Sequence, residues 1–184
     1  PLGSTEREVN MELGFALEAR LRREGADPFL IRSSSNGPPL ADRPAFAWSR
    51  GAELFVSLHN NALPLNDDPL GKPRGFMNLY YQPQSRPLVE AVHERYRKNF
   101  PGLADNGIVW GDLHVCRTTW MPSILTESAY LIVPSQEQLL LSPGGRAHIA
   151  ETITQGLIDY LEVERKRQKA SRSSSSAKPA LRER

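Results

Sequence analysis

The chain has 184 residues, 39% hydrophobic and 24% charged, with one cysteine and a formal net charge of +2. That size suits one domain with a core of its own. Without about 20 consecutive apolar residues there is no membrane-spanning helix, and the lone Cys116 excludes an internal disulfide framework or a Cys-rich zinc cluster. The charge is uneven: residues 165–184 hold eight Lys or Arg against one acid, while 1–164 hold 15 basic and 20 acidic residues.

In chain order, Pro1 to Ser4 matches what a protease leaves of an affinity tag, and no signal peptide follows. Thr5 with Glu8 is a capping-box signature that opens a helix to about Glu24, with Gly25 as its stop. Val9, Leu13, Ala16, Leu17 and Leu21 form its apolar stripe. Phe29–Ile31 reads as a short strand and Leu40–Arg50 as a helix. Leu54–Leu58 is an almost continuous apolar run, as in a strand covered on both faces. Phe76–Tyr81 reads as a strand, Arg86–Asn99 as a helix, and Leu113–Arg117 and Ser123–Glu127 as two more strands. A last helix covers about Arg146–Glu164, with Ile149, Ile153, Leu157, Tyr160 and Leu161 on one side. The alternation predicts an α/β fold, with helices around a mostly parallel or mixed central sheet in one domain over residues 5–164. Residues 165–184, basic and poor in apolar side chains, are expected to be a disordered tail. Such a tail is most simply a solvated terminus, and no nucleic-acid module or phosphate-cradling loop is present.

Three polar residues stand where the pattern calls for burial. Glu6, seven residues before Leu13, points along the apolar stripe, whereas Glu8 is turned away. An inward carboxylate needs a cation or donors, although an acid in a first turn also suits the helix dipole. His59 ends the apolar strand and leads into a Pro/Asp/Gly loop from Asn60 to Arg74, at the strand end where α/β ligand sites gather. Its imidazole is either a metal ligand or acid–base group, or a hydrogen-bonded strand-end residue. Glu127 closes Ser123–Thr126 in the same way. If the two strands are parallel, Glu127 and His59 emerge at one edge, and burial would raise the carboxyl pKa toward that of a general base. One imidazole and two carboxylates suit a metal-assisted hydrolytic site. His114 is a weaker candidate; His93 reads as solvated, His148 as surface or packing, and Cys116 as a buried apolar residue.

Four segments carry a family resemblance: Glu6–Met11, Leu40–Arg43, Glu53–Ala62 with its His59-Asn60-Asn61, and Met121–Ser128 with its Pro-x-x-Leu-x-Glu end. In that order they resemble the zinc-dependent N-acetylmuramoyl-L-alanine amidases of the amidase 3 family, over about residues 5–162. The resemblance implies Zn2+ held by Glu6 and His59, with Glu127 as catalytic glutamate and Asn10 sharing the face of Glu6. It implies Asn61, His114 and Arg117 as substrate contacts, and peptidoglycan or muropeptides as substrate outside the cytoplasm, in the periplasm or cell wall. The family's first zinc histidine lies on a strand upstream of the glutamate. The five residues before Glu6 contain no histidine, so two protein ligands are expected here unless that segment is supplied separately. The alternative is a metal-free, amidase-fold module that binds cell wall or regulates.

Overall fold

The computed structural model describes residues 3–34, 36–63 and 66–176. Helix α1 (Glu6–Arg23) starts at the capping box read from the sequence: Thr5 Oγ1 accepts from the Glu8 amide, and the Thr5 amide donates back to the Glu8 carboxylate. A single 3₁₀ turn, Leu40–Asp42, leads into α2 (Arg43–Ser49), which is shorter than the sequence suggests because Pro44 fixes its start. Four strands follow, β1 (Phe55–Asn61), β2 (Gly75–Tyr80), β3 (Ala104–Trp110) and β4 (Ser123–Tyr130), with α3 (Arg86–Asn99) between β2 and β3. Helices α4 (Pro134–Leu141) and α5 (Pro143–Ser176) close the described chain.

The sheet order is β1-β4-β2-β3, with β1 parallel to β4, β4 antiparallel to β2, and β2 parallel to β3. This is the α/β fold with a mixed central sheet expected from the alternation. Side-chain alternation divides the core between the sheet's two faces. Ile124 and Phe76 join Val9, Leu13, Val92, Ile149 and Ile153 beneath α1, α3 and α5. Leu125 and Phe55 face Ala47, Val115, Cys116 and Met121 on the other side.

The departures from the sequence reading have physical causes. Phe29–Ile31 is not a strand: a groove of about 1080 Å³ separates it from the outer edge of β1, so it has no ladder to join. Leu113–Arg117 is a 3₁₀ turn, His114–Cys116, tucked under the start of β4, where Ser123 Oγ donates to the Val115 carbonyl. Strand β3 went unread because Asp105-Asn106-Gly107 is a poor strand sequence. Gly107 (φ +88°) makes a bulge there, with three β3 residues spanning two of β2, from Phe76↔Asp105 to Asn78↔Ile108. His93 is buried, not solvated (6% exposed): Asn78 and Asp105 hold its two ring nitrogens between α3, β2 and β3. Helix α5 does not stop at Glu164, and the segment from Arg165 expected to be disordered continues as helix to Ser176. Its Glu, Arg, Lys, Gln and Ala residues are strong helix formers that extend a helix already nucleated by packing. Residues 177–184, the rest of that expected tail, lie outside the described residues, as do Pro1 and Leu2.

The α3–α5 crossing depends on Gly156, where an added Cβ would lie 2.5 Å from the Val92 Cα. Gly156→Ala should therefore destabilise the domain by about 1–3 kcal/mol despite its better helix propensity, read as a lower urea midpoint at unchanged slope.

Candidate functional site

The capping box fixes where α1 begins, and so sets Glu6 over the carboxyl end of β1. There Glu6 Oε1 accepts from three donors: His59 Nδ1 (2.9 Å), the Asn60 backbone N–H (3.1 Å) and Asn10 Nδ2 (3.2 Å). Asn60 Nδ2 in turn donates to Asn10 Oδ1 (2.6 Å), closing a polar ring between helix and strand. The His59 hydrogen bond holds the Glu6 carboxyl below its ordinary value, and the same bond raises the His59 imidazole above its own.

The parallel register sets His59 directly beside Glu127. Residues at paired positions share a face, so both side chains leave the sheet on the Phe55–Leu125 side. Glu127 is partly buried, and its Oε2 is a buried oxygen without a hydrogen-bond partner. Burial pushes its carboxyl up from 4.5 to about 7; His59 nearby opposes the rise and Glu6 adds to it. The result is a carboxylate–imidazole pair beside a second carboxyl that titrates near neutrality.

The donor set fits zinc in part. Glu6 and His59 offer one carboxylate oxygen and one imidazole nitrogen, both of the kind zinc takes, and the shared position between them is one a cation can occupy in place of a proton. A catalytic zinc takes three protein ligands, and among the described residues no group of three His, Cys, Asp or Glu is placed to hold a metal.

The substrate-contact candidates do not gather here. His114 Nε2 lies 3.0 Å from the Ala41 carbonyl, and Arg117 pairs with Asp112. Both belong to the turn under the start of β4, the opposite end of that strand from Glu127. His114 is therefore no substitute ligand. Asn61 sits at the site end but is buried (8% exposed), its amide directed to the Gly75 carbonyl. The part of the Asn60–Arg74 segment at residues 64 and 65 lies outside the described residues. The sequence reading missed Asn60 as a member of the polar ring; its position next to a strand-end histidine was the available signal.

An open α/β sheet with an imidazole and a carboxyl group side by side on adjacent parallel strands, and a second carboxyl brought to them by α1, places a candidate site toward the carboxyl ends of those strands, where α/β folds hold ligands. The chain belongs to the Amidase_3 family, N-acetylmuramoyl-L-alanine amidase, whose model matches residues 2–159. It is 30% identical over 160 residues to the N-acetylmuramoyl-L-alanine amidase LytC of Bacillus subtilis (strain 168), covering 86% of this chain and 32% of that protein. The chain thus spans about a third of the length of that relative. The catalytic domain of CwlV, an N-acetylmuramoyl-L-alanine amidase of Bacillus (Paenibacillus) polymyxa var. colistinus, superposes with a TM-score of 0.77 at 27% identity, over 88% of this chain and 87% of that one. The amidase AmiC2 of Nostoc punctiforme gives a TM-score of 0.77 at 27% identity, over 85% and 84%.

In the metal-free chain, Glu127 makes stability fall with rising pH. Below 4.5 the carboxyl is protonated folded and unfolded alike; between 4.5 and about 7 only the unfolded state ionises; above about 7 the full penalty is present. Glu127→Gln should thus match the parent near pH 4 and melt progressively higher than it toward pH 7.5, measured by thermal unfolding with chelator present.

Proposed function

We propose that this domain hydrolyses the amide between the lactyl group of N-acetylmuramic acid and L-alanine of the peptidoglycan stem peptide, acting in the bacterial envelope. One observation carries the reading. In a chain of this family, a partly buried carboxyl of near-neutral pKa, Glu127, stands beside the Glu6–His59 pair. A general base works best when its pKa lies near the working pH. Glu127 takes the proton of the attacking water and returns it to the departing amine.

Glu6 and His59 would hold zinc, with Asn10 and the Asn60 amide fixing the Glu6 carboxylate from behind. Bound zinc supplies polarisation of the scissile carbonyl and a lowered pKa for the water beside it. The groove along the free edge of β1 leaves room for an extended segment, and a histidine on such a segment would bring the protein ligands to three. The two-ligand set of the described residues also favours a second reading, a metal-free module that binds cell wall.

Zinc analysis and muropeptide turnover separate the two. The enzyme reading expects bound zinc and release of L-alanine-terminated peptide; a chain that binds muropeptides with neither zinc nor turnover is the module. Glu127→Gln should lower kcat by about 10²-fold or more with zinc content unchanged, whereas His59→Ala should lose the zinc itself. Undiminished turnover in Glu127→Gln would remove this residue from the mechanism.

A further inference from the structure

Tryptophan is normally well covered in a folded domain, yet all three here are half or more exposed: Trp48 (52%), Trp110 (62%) and Trp120 (50%). Trp120 differs from the others in forming the wall of a cleft. Its loop, the turn before α3 and the outer part of α5 line an open, shallow cleft of about 530 Å³. The far wall is made by Tyr160, Glu164 and Arg167, so the cleft depends on α5 continuing past residue 160.

The polar groups around this ring set the chemistry of the ligand. Gln84 Nε2 donates to the carbonyls of Thr118 and Thr119 (3.4 and 2.9 Å), which fixes the amide and leaves its carbonyl oxygen as an acceptor. Glu164 and Arg167 form an ion pair at 2.7 Å, so the rim is charged but neutral in sum. For a phosphate, or a peptide with free carboxylates, the attraction of Arg167 is offset by the Glu164 carboxylate beside it. A neutral polyol gains an acceptor, a carboxylate and a guanidinium to hydrogen-bond, and an aromatic face to lie on. The Trp48 ring, 6.4 Å from that of Trp120, widens the apolar surface at the mouth.

We propose that this cleft is a subsite for the sugar backbone of an amino-sugar polysaccharide, one pyranose ring stacked on Trp120. The C–H edges of such a ring carry partial positive charge and meet the negative face of the indole. The proposal rests on the peptidoglycan reading above: in that polymer the muramyl acid is consumed in its amide, which leaves the backbone uncharged. The cleft lies beyond the amino end of β4, and Ser123 to Glu127 alone spans about 13 Å of strand. A sugar strand held there leaves the cleavage site free for a stem peptide, and the domain is retained on its insoluble substrate between turnovers.

Titration of the full chain with tetra-N-acetylchitotetraose, followed by the indole N–H resonances and by calorimetry, tests this. Weak saturable binding that moves the Trp120 signal is expected. Trp120→Ala should weaken it about tenfold, Trp120→Phe should keep most of it, and Arg167→Ala, an exposed change that spares the core, should weaken it as well. Trp110→Ala should bind as the parent does. Trp120→Ala should hydrolyse small muropeptides normally while solubilising whole cell walls several-fold more slowly. Glu127→Gln should bind chitotetraose unchanged, so loss of amide cleavage and loss of the subsite are read separately. Absent binding, binding undiminished in Trp120→Ala, or a stem peptide moving the Trp120 signal in place of the sugar would overturn the proposal.

Discussion

The candidate site depends on one carboxylate oxygen. Glu6 Oε1 gathers an imidazole, a backbone N–H and a carboxamide, and in doing so ties the first turn of α1 to the last residues of β1. Each donor is oriented by something else: His59 and Asn60 by the strand, Asn10 by the helix face it shares with Glu6. The half-exposed carboxylate keeps its charge through these donors and the nearby imidazole, not through contact with water alone. If the helix began one residue later, Glu6 would leave the face it shares with Asn10. The Thr5–Glu8 capping box is therefore as much a part of the site's precision as the residues that face it.

Local pattern made much of this legible. The capping box, the apolar run into His59 and the Ser123–Glu127 run each carry their meaning within a few residues; the parallel pairing that brings His59 beside Glu127, only a condition in the sequence, is supplied by the fold. What the sequence concealed was set by partners distant in the chain. Asp105-Asn106-Gly107 became a strand because β2 offered an edge, with a bulge to absorb the glycine. Phe29–Ile31, the better strand sequence, lies across a groove from the edge of β1 and does not reach it. His93 looked solvated among the charges of its own helix, and only the packing of β2 and β3 against α3 supplied Asn78 and Asp105. His114 and Arg117 were close in sequence to β4 but at its wrong end. Distance along a strand, invisible in residue type, separates them from Glu127.

The division of labour across the fold follows from β4. Its carboxyl end presents Glu127 to the Glu6–His59 pair, and its amino end rises from the loop that holds Trp120. Ser123, Ile124 and Leu125, all buried, form a stiff spacer between the two. The long α5 packs the core with Ile149, Ile153 and Leu157, then carries its charged continuation past the same loop. A helix extension that adds little to the core thus shapes the surface.

The two borders of the sheet are unequally protected. At β3 the Gly107 kink and the acidic Asp105 twist and charge the rim, a common safeguard against unwanted pairing. At β1, Phe55 to His59 border a trough that mixes Leu17, Leu30 and Leu157 with the charged Glu18, Arg22, Asp27 and Arg50. An extended segment seated along that border would add a strand to the sheet at β1, whereas the bulge turns the β3 border away from such an addition.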